Sequence, residues 1–345
     1  MTAVDSPALT RAIPSPREAP SGSVGPIVVP APAAASRLHA SRRLVRWTLG
    51  TGLVVAFAIT CVETGLPTDR IVLLGWVLLG LAVHALTDGL RRVGRLLADW
   101  LPLAAVLLAY DASRGLADGL GATVHVTEPA AADRWLAGGA LPTVVLQQRW
   151  DAPWWEALAT LVYGSHFVVT PLVLGVLWVR NRERWVRYAR LVVGLSAAGL
   201  VTYVLYPAAP PWLAAKDGVI EPVQRLSGAG WEVLGLPRAG ALLADSQGQV
   251  NQVAAVPSLH TAFAVLTCLV LYPLAKRAWQ RAGLVAYPVL MALVLVWSGE
   301  HYVIDTVLGA AYAAGVVAVA ARLQPVGGGL VAALRRPVVV PTVSG

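Results

Sequence analysis

The stretch "WWEALATLVYGSHFVVTPLVLGVLWVRNRERWVRYAR" (154–190) decides what kind of chain this is. Its first part, 154–179, carries one charge, Glu156, and one histidine, His166. That run exceeds the about 20 residues a helix needs to cross a bilayer. Five arginines follow, Arg180, Arg182, Arg184, Arg187 and Arg190, and apolar sequence resumes over 186–206. An apolar span that ends in a basic cluster is the pattern of a membrane helix whose end faces the cytoplasm.

The same pattern extends in both directions. Further spans fall at 45–62, 71–89, 97–112, 257–275, 281–298 and 301–321. Basic clusters mark alternate connections: Arg37, Arg42, Arg43 and Arg46 before the first span, and Arg91, Arg92 and Arg95 before the third. Lys276, Arg277 and Arg281 lie before the seventh span, and Arg322 follows the last. The other connections are neutral or acidic, such as 63–70 with Glu63 and Asp69. Strict alternation predicts both termini in the cytoplasm. Two long connections, 113–153 and 207–256, then fall on the outer side. The tryptophans in and beside them, at 135, 150, 154, 155, 212 and 231, are expected at the lipid–water boundary.

Composition agrees. Of 345 residues, 57% are hydrophobic and 13% charged, with a mean hydropathy of +0.64. Soluble domains carry about 25% charged residues, so the expected class is all-α and polytopic in a membrane, with about eight transmembrane helices. The net charge of +8 sits in loop clusters, which argues against a nucleic-acid groove and any nucleic-acid partner. Cys61 and Cys268 lie in or beside apolar spans and read as small buried hydrophobes. Residues 1–43, rich in Pro, Ala and Ser, are expected to be a disordered cytoplasmic tail, and 325–345 a second one. Residues 44–96 hold two leading transmembrane helices, and 97–324 a core of six.

Within that core two stretches stand out, "VPSLH" (256–260) and "SGEHYVID" (298–305), each at the outer start of a span. On a helix His301 and Asp305 are four residues apart on one face. The carboxylate can then hold the proton of one imidazole nitrogen and leave the other as a nucleophile or base. Pro257 suits a first helical turn, with Ser258 beside it. Helix-start amides form an anion site, beside which His260 would serve as general acid. A His/His/Asp metal site is the rival reading, but no second carboxylate or thiolate cluster lies nearby, and no HExxH motif is present. His166, deep in its span, is expected in the site or in an acceptor pocket, with neutral packing as the alternative. His39, His84 and His125 have no partner visible in the sequence.

"PSLH" and "HYVID" resemble the second and third motifs of the type 2 phosphatidic acid phosphatase superfamily. The resemblance covers about 97–322 and implies a six-helix core. It also implies a nucleophilic His301 oriented by Asp305, and His260 as the proton donor. The family's phosphatases carry a serine–arginine pair ahead of the third motif, where this chain has Val294 and Leu295. In place of their first motif it reads "YPAAPPWLAAK" (206–216). Both departures resemble the inositol phosphorylceramide synthase branch, and sphingomyelin synthases also share HYxxD without the arginine. These branches transfer a phosphate-bearing head group between lipids.

The resemblance therefore implies a metal-independent lipid phosphotransferase that needs no cofactor. It would work through a phosphohistidine at the outer face of the plasma membrane, with a lipid phosphate donor and an alcohol or lipid acceptor as partners. A polyprenyl-phosphate or phospholipid phosphatase using water is the alternative, and a transporter or scaffold that merely keeps the fold is another. A CDP-alcohol phosphotransferase is not supported, because "TDGLRRVGRLLAD" (87–99) lacks its motif. Candidate phosphate and head-group contacts are Ser258, Arg114 with Asp111 and Tyr110 beside it, Lys216, Tyr206 and His166. The polar run "SQGQVNQ" (246–252) is a candidate for the mouth of the site.

Overall fold

The computed structural model describes residues 33–64, 70–117, 123–236 and 252–323, with the backbone alone at 33–39, 70–71 and 111–117. Twelve α-helices are described: α1 Ala33–Thr64, α2 Arg70–Asp88, α3 Leu90–Ala117, α4 Thr127–Leu136, α5 Pro142–Arg149, α6 Pro153–Arg180, α7 Arg182–Leu205, α8 Pro211–Lys216, α9 Gly230–Val233, α10 Leu259–Leu271, α11 Ala278–Trp297 and α12 Val303–Leu323. Among the described residues there are only isolated backbone bridges and no strand.

Six of these helices are long and apolar enough to cross a membrane, within α1, α3, α6, α7, α11 and α12. Two of the eight expected spans are shorter apolar helices, Val72–Asp88 and Leu259–Leu274. The protein is a multi-pass membrane protein. The expected tails at 1–43 and 325–345 fall outside the described residues apart from the helical stretch that begins at Ala33.

Local chemistry sets the helix ends. Pro153 and Pro142 occupy first-turn positions, where a missing N–H costs nothing. Asn181 ends α6 and also caps α7, its side-chain oxygen accepting from the Arg184 N–H at 3.0 Å. At this end of the bundle the Asp99 carboxylate accepts from the Arg182 Nε at 2.8 Å and the Trp178 indole at 3.0 Å. The Arg92 guanidinium lies 4.7 Å over the Trp178 ring. The start of α3, the end of α6 and the start of α7 therefore meet where the basic connections lie.

Inside the bundle Trp100, Tyr188, Leu195 and Leu266 form the main core, shared by α3, α7 and α10. In lipid such packing rests on close contact and buried hydrogen bonds, because the tails around it are equally apolar. One such bond joins the Tyr188 and Thr267 hydroxyls at 3.1 Å. The α2 helix packs into this core, whereas the apolar window of α1 is unburied.

At the opposite end Trp155, near the start of α6, packs edge-on against Trp297 at the end of α11, 5.8 Å between centroids. Trp155 and Trp231 are buried, at 6% and 4% exposure. This corrects the expectation that they are boundary anchors: both are enclosed by protein. Trp135 and Trp154 do remain exposed.

Candidate active site

The starts of α10 and α12 are built into one another. Ser258 caps α10, its hydroxyl accepting from the Thr261 N–H at 3.4 Å. Its own N–H donates to the Asp305 carbonyl at 3.0 Å. Pro257 lies one residue ahead of the cap rather than in the first turn, and its carbonyl accepts from the Tyr203 hydroxyl at 2.9 Å. Ser258, expected to touch phosphate, is fully buried and serves as the helix cap.

His301 and Asp305 do not share a helical face. The helix begins only at Val303, and His301 sits in the preceding loop. The two side chains still meet, with His301 Nδ1 3.5 Å from Asp305 Oδ2. The same oxygen accepts from the Tyr302 N–H at 2.8 Å, so the carboxylate grips the loop and faces the imidazole together. Both side chains are buried, at 7% and 0% exposure.

His260 faces this pair, its ring 5.8 Å from that of His301. His166 joins them, 4.1 Å from His260 between ring centroids. The Tyr163 ring stacks on His260 at 5.1 Å and 26°, and Phe167 and Phe263 flank His166. His166 lies about 20 Å along α6 from Pro153, so the cluster is recessed into the bundle and walled by aromatic rings.

Several supports were invisible in the sequence. Asp133 of α4, fully buried, accepts from the N–H groups of Val303 and Ile304 at 2.8 and 2.9 Å. It therefore fills the start of α12 from outside the helix. Burial raises its carboxyl above the ordinary aspartate range and the nearby Asp305 charge adds to this, against the opposing pull of those two N–H groups. Gln147 of α5 donates to the carbonyls of Gln224 and Trp297, both at 2.8 Å. The Trp212 N–H donates to the Gly299 carbonyl at 3.1 Å, tying the proline-rich segment to the histidine loop.

Arg225 pairs with Glu300, the residue before His301, through Nε at 2.7 Å and Nη2 at 3.2 Å. The Ser227 hydroxyl donates to the same carboxylate at 2.6 Å, and the guanidinium lies 4.6 Å over Trp212. Burial works to lower the Arg225 pKa, but the charge and hydrogen bonds of Glu300 outweigh it and hold it above its ordinary range. The one available signal was that Arg225 is the lone Lys or Arg in 217–236, next to an aromatic- and proline-rich segment.

The other candidates are more scattered. Tyr206 stacks on His125 at 3.8 Å, and His125 Nδ1 lies 2.7 Å from Glu128, partners the sequence did not reveal. Lys216 is exposed at the end of α8. The side chains of Asp111 and Arg114, and the run 246–251, lie outside the described residues. Among the described residues, no group of three or more His, Cys, Asp and Glu side chains is arranged to hold a metal ion.

The sequence that carries these residues is similar to known proteins. Residues 130–319, more than half of the chain, match the PAP2 superfamily, and the chain belongs to that family of type 2 phosphatidic acid phosphatases. It is similar to a phosphoinositol dihydroceramide synthase of Bacteroides thetaiotaomicron, 34% identical over 154 residues. The match covers 41% of this chain and 48% of that protein, so the chain spans about half the length of its relative. No solved structure matches the chain.

Proposed function

We propose that the protein is a lipid phosphotransferase that moves a phosphate-linked head group between lipids through a phosphohistidine. The observation that carries this is the His260–His301 pair, 5.8 Å apart with Asp305 behind His301. With Nδ1 turned toward Asp305, the Nε2 lone pair of His301 attacks phosphorus. A P–N bond forms as the P–O bond to the departing lipid alcohol breaks, and His260 protonates that oxygen. His260 then takes the proton of the acceptor hydroxyl. The new alkoxide displaces His301, restoring the free imidazole. Asp305 balances the positive charge that His301 carries in between.

The name of the Bacteroides relative supports phosphoinositol as the head group and a ceramide-like lipid as the acceptor. The recessed, aromatic-walled site favours transfer over hydrolysis, because water must be kept from the phosphohistidine. The starts of α10 and α12, which carry His260 and Asp305, lie at the helix ends away from the basic connections, which supports a site opening to the non-cytoplasmic side of the plasma membrane, with both termini cytoplasmic. Arg114 with Asp111, Lys216, Tyr206 and His166 stay as proposed head-group or phosphate contacts, and Ser258 supports the site as the cap of α10.

The test is to incubate the purified protein with labelled phosphoinositol lipid, or with polyprenyl phosphate, with and without alcohol acceptors. A new phosphodiester is expected from the phosphoinositol lipid and an alcohol acceptor, and it should disappear in His301→Ala. Release of inositol phosphate from the first donor, or of free phosphate from the second, with no new ester formed would point to a phosphatase, and full transfer by His301→Ala would remove the mechanism.

A further inference from the structure

A phosphate held between two imidazoles needs a fixed cation, because phosphoryl transfer is carried by positioning and charge neutralisation. Arg225 is linked to the histidine cluster through two residues that adjoin it. Through Glu300 it is tied to the residue that precedes His301. It also lies within electrostatic reach of Tyr163, whose ring stacks on His260.

The pairing with Glu300 leaves this cation with work to do. A guanidinium has five N–H donors in a rigid fork. Glu300 takes the Nε side, through Nε and one Nη2 hydrogen. Of the three remaining N–H bonds, one on Nη1 and one on Nη2 form the Nη1/Nη2 edge, which can bind phosphate in bidentate fashion. The Arg225 side chain is also the more exposed partner, at 31% against 9% for Glu300.

The geometry points to Arg225 as the phosphate-binding cation of the site. Its Nη1/Nη2 edge takes two non-bridging oxygens of the lipid phosphate, while Glu300, Ser227 and Trp212 hold the guanidinium in place. The assignment rests on the phosphotransfer reading above. It also gives the proline-rich segment a task, because Trp212 both stacks on the guanidinium and binds the Gly299 carbonyl.

The test measures binding of inorganic phosphate and of vanadate to the purified full chain in detergent, by calorimetry, together with the melting temperature. Arg225→Gln alone strands Glu300 and can unfold the loop, so the deciding variant is Arg225→Gln/Glu300→Gln, which removes both charges and keeps an acceptor for Ser227. That double variant is expected to melt like the wild type and to bind both anions about tenfold to a hundredfold more weakly. Glu300→Gln alone is expected to bind them at least as tightly as the wild type. Wild-type affinity in the double variant, or a Glu300→Gln loss as large as that of Arg225→Gln, would make the pair a structural clamp and overturn the assignment, with the phosphotransfer reading intact. Failure of the wild type to bind either anion would overturn both.

Discussion

The imidazole of His166, midway along α6, sits 4.1 Å from that of His260 at the start of α10. An ionisable side chain at that depth is costly, and it is usually retained where it faces a functional cavity. Here it adjoins the group assigned to move the proton. His166→Phe keeps the aromatic packing around Phe167 and Phe263 and removes the proton-carrying nitrogens. Transfer should fall by about tenfold to a hundredfold, less than for His260→Ala, where the general acid itself is lost at about a hundredfold or more. An unchanged rate in a folded His166→Phe would reduce His166 to packing.

Asp305 has two jobs, and a conservative change separates them. Asp305→Asn keeps an oxygen to accept the Tyr302 N–H, so the loop should stay formed. It loses the negative charge facing His301 Nδ1, and turnover should fall on the order of a thousandfold. A melting curve like that of the wild type, beside near-zero transfer, is the expected pair of readings.

Asp133 should behave as a positioning residue. Asp133→Ala strands two helix-start N–H groups, at about 1–3 kcal/mol for each one left buried and unpaired, so the melting temperature should drop. Acid pH tests the carboxyl directly. Its pKa is raised in the fold, so its contribution to stability is complete below about pH 4 and is lost as pH rises through the raised value. Asp133→Asn cannot titrate and should flatten that part of the stability profile; a slope identical to the wild type would refute the assignment.

The two motif helices touch at a glycine. A Cβ on Gly309 would lie 2.3 Å from the Ser258 carbonyl oxygen, whereas one on Gly315, in the same helix, would meet nothing within 4 Å. Gly309→Ala should force α12 from α10, stretch the Ser258–Asp305 backbone bond and lower both stability and transfer. Gly315→Ala should be neutral in both assays.

The proposed chemistry needs no metal. Dialysis against EDTA should leave transfer unchanged, measured as labelled phosphodiester formed per minute. Loss of activity restored by a divalent cation would require a different mechanism.

The spans, their basic ends and the two motifs could be read in linear order because each obeys a short-range rule. A bilayer demands about 20 apolar residues per crossing, arginines gather on the cytoplasmic side, and the spacing of His301 and Asp305 lies within five residues. Even there one detail escaped. The helix starts at Val303 because Asp133 and Asp305 occupy its first amides, so the pair meets across a loop.

The walls of the site obey no such rule. Asp133 reaches Val303 across 170 residues, Gln147 reaches Trp297 across 150, and Arg225 reaches Glu300 across 75. No periodicity or local spacing encodes contacts of that span. They form only when the long connections before α6 and after α7 pack down onto the helix ends and bring each buried charge to a partner that offsets its loss of water.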